Sequence, residues 1–129
     1  PVLFTSARTG AGVGELLHVL ASLAPNPAEG NPPAFYKGEP GGAVEAFHAE
    51  PDAGKHVLAH VFKVIADPYM GKIGIFRVHQ GTMKRDMQLF VGDGKRPFKV
   101  AHLYQLQGKE TIEVDELLPG DIGAVPKVD

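Results

Sequence analysis

The sequence holds no cysteine, which removes disulfides, zinc knuckles and thiol catalysis together and fits a reducing compartment such as the cytoplasm. It has no apolar run near the roughly 20 residues that a membrane-crossing helix needs, and no charged-then-apolar leader opens it. A soluble chain with no membrane partner is expected. An excess of positive charge is lacking too: the formal net charge of −2 argues against uniform attraction to nucleic acid, and no DNA partner is expected.

What is present fits one small domain. The 129 residues suffice for a single core, or for one small domain carrying an appendage. Hydrophobic residues at 43% and charged residues at 22% match ordinary folded proteins. Sixteen glycines and eleven prolines favour turns and short elements, and so β structure. The chain opens on Pro1 within an apolar run and without a methionine, and it reads as cut from a longer protein.

Residues Pro1 to Ala7 read as a buried strand running into a loop, and Gly10, Gly12 and Gly14 punctuate that loop. Glu15 to Ala24 places Leu16, Leu17, Leu20 and Leu23 at helical spacing, with Pro25 as the stop. Five prolines between Pro25 and Pro40 then predict a linker free of regular elements. Beyond it the rhythm has period two. His56–Ala66 is a strand with both faces apolar and so expected to be substantially buried on both, Asp67, Pro68 and Gly71 make a turn, and Ile73–His79 is the next strand. Met87–Val91, Phe98–Tyr104, Thr111–Leu117 and Ile122–Val125 supply further strands, with a hairpin tip at residues 92–97. Short strands at close spacing predict a mainly β fold, a small closed β-barrel.

Charge is unevenly placed. From Arg77 to Lys109 seven bases stand against two acids, a local +5. On charge alone a solvated face of the barrel accounts for this better than a nucleic-acid patch does.

Chemistry-bearing motifs are mostly ruled out. The run Gly10-Ala11-Gly12-Val13-Gly14 sits where a dinucleotide fingerprint would sit, but Glu15 stands at the third glycine position and a proline-rich linker replaces the second strand. No lysine followed by Ser or Thr ends the glycine run, so it is no phosphate-binding P-loop. Asn-Lys-x-Asp and Asp-x-x-Gly are both missing, and phosphoryl transfer needs such positioned groups together. His56 and His60 lie four apart on an extended segment, about 13 Å, too far to share a metal. No catalytic residue and no metal ligand is assigned.

Two stretches carry a resemblance. Phe4-Thr5-Ser6-Ala7-Arg8, the glycine loop, Gly14-Glu15-Leu16-Leu17 and Ala24-Pro25 resemble the last strand, guanine loop and final helix of a translation-factor GTPase domain. Val61-Phe62-Lys63-Val64, Asp67-Pro68-Tyr69, Gly71-Lys72, Phe76-Arg77-Val78, Gly81-Thr82-Met83 and Gly120-Asp121-Ile122-Gly123-Ala124-Val125 resemble, in that order, domain II of elongation factor G. One departure is Arg85-Asp86, where the family usually carries Gly-Asp, so Arg85 either takes a costly positive φ or the turn differs. His102-Leu103-Tyr104, Gly108-Lys109 and Pro126-Lys127 are closer to the divergent second copies of the factor.

The resemblance implies residues 1–25 as the end of a GTPase domain, 26–40 as a linker and 41–129 as a domain II barrel. It implies a parent GTPase that serves protein synthesis, using GTP and Mg²⁺, while this piece holds no cofactor. In the parent, Ser6 and Ala7 would turn backbone N–H groups to a guanine oxygen, with Arg8 beside them. The implied partners are small-subunit ribosomal RNA and the parent's own GTPase domain. Lys84, Arg85, Lys95 and Arg96, on two basic turns, are the candidate RNA contacts. Alternatives are a ribosome-protection, recycling or release GTPase with the same barrel, or an unrelated β-barrel binding module. An exposed first strand and helix would also offer a surface for self-association.

Overall fold

The computed structural model describes residues 1–30, 34–38, 43–92, 94, 96–108 and 110–126. Lys95, Lys109 and Lys127 therefore lie outside the described residues.

The apolar spacing after the glycine loop forms helix α1, Val13–Leu23. Ala24 ends it in an extended conformation, as the residue before a proline must. No residue of α1 is buried, and Leu17, Leu20 and Leu23 are between half and two-thirds exposed. The buried strand that the sequence predicts over Pro1–Ala7 does not form: residues 1–6 carry no pairing, with Val2 87% and Phe4 92% exposed. A strand exists only against a neighbour, and among the described residues none lies alongside.

The linker prediction also needs correction. Phe35–Gly38 (β1) and Val44–Phe47 (β2) pair as an antiparallel hairpin, so a regular element occupies part of the proline-rich stretch. The prolines flank β1 and leave its ladder positions free.

The body is a five-stranded antiparallel sheet. Leu58–Asp67 (β3) pairs with Gly71–Gln80 (β4) through the expected turn, where Asp67 Oδ1 accepts the N–H groups of Tyr69 and Met70. Ile122–Pro126 (β11) lies on the other side of β4, followed by Tyr104–Gln107 (β8) and Glu110–Glu113 (β9). Met83–Lys84 (β5) pairs with Glu116–Leu117 (β10), and Gln88–Leu89 (β6) pairs with Phe98–Lys99 (β7). The β class is as predicted. Among the described residues β3 and β9 are the edges of this sheet and do not pair with each other.

Strand β4 explains the core. Phe76 and Val78 project to one face and join Met83, Val100, Leu103, Leu117 and Val125, while Ile73 and Ile75 project to the other and meet Ala124. Gly123 lets Phe76 and Leu117 close over β11, since a Cβ there would collide with the Leu117 side chain. Val100 and Leu103 are fully buried although the strand predicted over Phe98–Tyr104 is interrupted between Lys99 and Tyr104. Strand β3 departs from prediction in the opposite sense. Its Val61, Phe62, Val64 and Ile65 are 37–58% exposed, because β3 is an edge and a β-bulge between Val61 and Lys63 breaks its alternation.

Candidate functional site

Two places hold the residues singled out by sequence. The first is the loop before α1. Ser6 donates its N–H to the Ala11 carbonyl at 2.9 Å and its carbonyl accepts from the Gly10 N–H at 2.8 Å, so the loop closes on itself. Gly12 adopts φ 69° with its Cα against the Phe4 carbonyl, a place where any Cβ would collide. Of the two N–H groups expected to face a guanine, that of Ser6 is thus committed within the loop. That of Ala7 has no partner among the described residues, and Arg8 is exposed.

The second place is the β5–β6 turn. Asp86 has φ 65° and is the one non-glycine residue with positive φ among the described residues. The strain anticipated at Arg85 therefore falls one position later, on a residue type that tolerates the left-handed region. The Asp86 N–H reaches the Val100 carbonyl at 2.8 Å, and its carboxylate pairs with Lys99 at 2.7 Å. The Lys99 hydrogen bond, reinforced by its charge, holds the Asp86 carboxyl below the usual carboxylate range.

Folding brings acids onto this basic turn. Lys84 lies 3.5 Å from Glu116, while the Arg85 guanidinium is 3.4 Å from Asp115 and 3.6 Å from Glu113. The Arg85 N–H also bonds the Asp115 carbonyl at 3.0 Å, which fixes the turn against the β9–β10 segment. His102 Nδ1 meets Glu113 at 2.9 Å, and its ring stacks on Tyr104 with centroids 6.2 Å apart. Hydrogen bonding from His102 lowers the Glu113 pKa, with Arg85 adding to the effect.

Three bases, Lys84, Arg85 and Lys99, thus share this surface with four acids, Asp86, Glu113, Asp115 and Glu116. The local +5 of the sequence window is largely cancelled here in space. The signal was available, because the acids follow directly in the segment Glu110 to Glu116. Arg96 is exposed beside the β6–β7 ribbon and has no acidic partner among the described residues. Of the three described candidates, Lys84 and Arg85 belong to an ion-pair network of which Arg96 is not a member. Among the described residues no group of three or more His, Asp or Glu side chains is arranged to hold a metal.

Against known proteins, the family described as Elongation factor G domain 2 matches residues 56–129. Over 124 residues, 96% of this chain, the sequence is 30% identical to elongation factor G of Chlamydia caviae. It is 29% identical over the same share to elongation factor G of Thermotoga maritima. The chain spans only 17% and 18% of the lengths of those relatives. A crystal structure from Thermus thermophilus overlaps 57% of this chain and 11% of its own, at 35% identity and a TM-score of 0.48. The match reaches both the β body and the glycine loop and helix before it, and the chain belongs to the elongation factor G family.

Proposed function

We propose that this chain is a segment of a ribosome-dependent translational GTPase, comprising the end of its GTPase domain (residues 1–25), a connecting stretch that carries strand β1 (26–40) and domain II (41–129). Its task is to rest on small-subunit ribosomal RNA and to join that contact to the GTPase domain. It performs no chemistry itself. The observation that carries this reading is the alignment of 96% of the chain with elongation factor G.

Ala7 supplies the guanine-facing N–H of the parent, Ser6 closes the loop that presents it, and Arg8 flanks it. Alone, the loop has neither a P-loop nor a magnesium site to add affinity, so the 129-residue chain binds no GTP. Micromolar binding of a fluorescent GTP analogue to the chain would overturn this.

For the RNA contact, Arg96, in the segment joining β6 to β7, acts first, together with Lys95 beside it in the sequence. Lys84 and Arg85 contribute only by exchanging their surface carboxylate partners for phosphate, a modest cost because exposed ion pairs are weak. Neutralising all four in the full-length parent lowers small-subunit affinity and flattens its salt dependence, by about 0.7–0.9 in log–log slope for each phosphate left without its cation. An unchanged slope would return these residues to an ordinary solvated face. The exposed β3 edge and α1 also favour contact with the parent's other domains, or between copies of the isolated chain, which size exclusion across concentrations separates.

A further inference from the structure

A cavity of about 540 Å³ lies between the β1–β2 hairpin and the loop leading into β3, within the size range of small-ligand sites. One wall is aromatic. Phe35 and Phe47 stand directly opposite each other in the hairpin ladder and so share a face, whereas Tyr36, one position on and 65% exposed, belongs to the other face of the ribbon and reaches the cavity only at its edge. The Phe35 ring is fixed edge-on against His79, with centroids 5.5 Å apart.

The opposite wall is preorganised. The Gln80 side chain, only 3% exposed, donates to the His56 carbonyl and accepts from the Glu50 N–H, each at 3.0 Å. Thr82 Oγ1 donates to the Ala53 carbonyl at 3.0 Å, and the Gly81 N–H donates to the Asp52 carbonyl at 2.9 Å. Gly81, at φ 73°, permits this approach, since a Cβ would stand 2.6 Å from the Lys55 carbonyl oxygen. Gln80 is therefore already satisfied, and orienting a ligand falls to Lys37 and Lys55 at the rim.

Among the described residues no carboxylate lines the cavity. Glu45 opposes Lys37 across the ladder, and Glu50 holds Lys55 from outside. The hydrogen bond to Glu50 raises the Lys55 pKa, so this ammonium group stays charged at neutral pH. With those glutamates nearby the rim attracts an anion at short range only.

We propose that this cavity is a stacking site for one unpaired nucleotide, its base against Phe35 and Phe47 and its phosphate at Lys37 and Lys55. Every base has a π-face, so an aromatic wall takes a base without demanding a sequence, while lysines beside it take the phosphate. A phosphate there displaces Glu50 from Lys55, a modest cost because both groups of that ion pair are exposed. The aromatic wall and both lysines precede the segment matched by the domain 2 family, and no residue of the β5–β6 turn lines the cavity.

The test uses the 129-residue chain and no ribosome, so its failure is independent of the failure of the docking role. Adenosine, AMP and a short oligoadenylate are titrated while the ring resonances of Phe35 and Phe47 are followed by NMR. AMP or the oligomer should shift these rings saturably, and Phe47→Leu should weaken binding about tenfold. Lys37→Gln with Lys55→Gln should bring the phosphate-bearing ligand down to the level of adenosine, and this variant keeps the aromatic wall should Phe47→Leu fail to fold. AMP binding as tightly as the oligomer identifies a free nucleotide, and saturation by the oligomer alone identifies an RNA strand. Absence of saturable shifts with both at about 10 mM, shifts confined to other residues, or a lysine variant that leaves the preference over adenosine intact would overturn the proposal.

Discussion

Residues 1–24 and the β body are both apolar in pattern, yet only one of them has a core. The helix α1 carries leucines at the spacing of a buried face and buries none of its residues, whereas β4 buries Ile73, Ile75, Phe76 and Val78. Periodicity records which face an element hides in the structure it was selected for. Whether that face is hidden depends on a partner. For α1 and the extended run before it, that partner is absent from the described residues, and most of the length of its relatives lies outside the stretch this chain matches.

The largest effect that can break this contrast comes from matched leucine truncations. Leu103 is fully buried among Val78, Val100 and Val125, so Leu103→Ala should cost about 2–5 kcal/mol through lost transfer energy and the cavity left behind. Leu20→Ala, at a position 51% exposed, should stay within about 0.5 kcal/mol. Urea denaturation of both variants measures the pair. Equal costs would mean that α1 is packed on the body in solution.

Glycines extend the contrast at a smaller scale. Gly81→Ala forces a β-carbon to 2.6 Å from the Lys55 carbonyl at φ 73°, and the φ alone should cost about 1–3 kcal/mol. Gly14, inside α1, has open space around its Cα. There Gly14→Ala should strengthen the helix by about 1 kcal/mol in local helicity, with no change in the melting of the body. Circular dichroism at 222 nm against near-ultraviolet melting separates the two readouts, and a raised body Tm for Gly14→Ala would show the regions to be coupled.

How far the fold and site were legible follows from the kind of information each needs. Local signals sufficed for α1, for the Asp67 turn and for β4, because spacing and turn chemistry are encoded within a few residues. Proline density hides the β1–β2 hairpin, although Phe35-Tyr36-Lys37-Gly38 itself contains no proline. Strand β3 is exposed where its pattern predicts burial, because apolar faces do not reveal that a strand is an edge. At the candidate site the sequence located the basic turns but not their neutralisation, since Glu113, Asp115 and Glu116 reach Lys84 and Arg85 only through the β5–β10 pairing. The Arg85-Asp86 departure was visible as a conflict, and its resolution needed the backbone.

That turn supplies the next test. At φ 65°, Asp86→Ala places a residue that disfavours the left-handed region and removes the Lys99 partner, which should cost about 1 kcal/mol. Asp86→Gly relieves the backbone while losing the same ion pair, so it should be the milder of the two. If Asp86→Gly proved as harmful as Asp86→Ala, the ion pair rather than the backbone would be the determinant.

The smallest effect is acid sensitivity of this ion-pair surface. The carboxyls of Asp86 and Glu113 are held below their ordinary values, the first chiefly by the Lys99 hydrogen bond and the second by that of His102. A depressed folded-state pKa means the unfolded chain binds protons more readily, so the stabilisation is complete above the unfolded values of about 3.9 and 4.3. It is lost as pH falls through the lower folded values. All the groups are exposed, so solvent and salt screen the effect. The Tm should be flat with respect to these two groups from pH 7 to 5 and fall modestly below pH 4. Lys99→Gln should flatten that acid limb by removing the main cause of the Asp86 shift, as should raised salt. An acid limb of undiminished depth in Lys99→Gln would place the sensitivity in other carboxylates and leave the basic turn free of any energetic tie to Asp86.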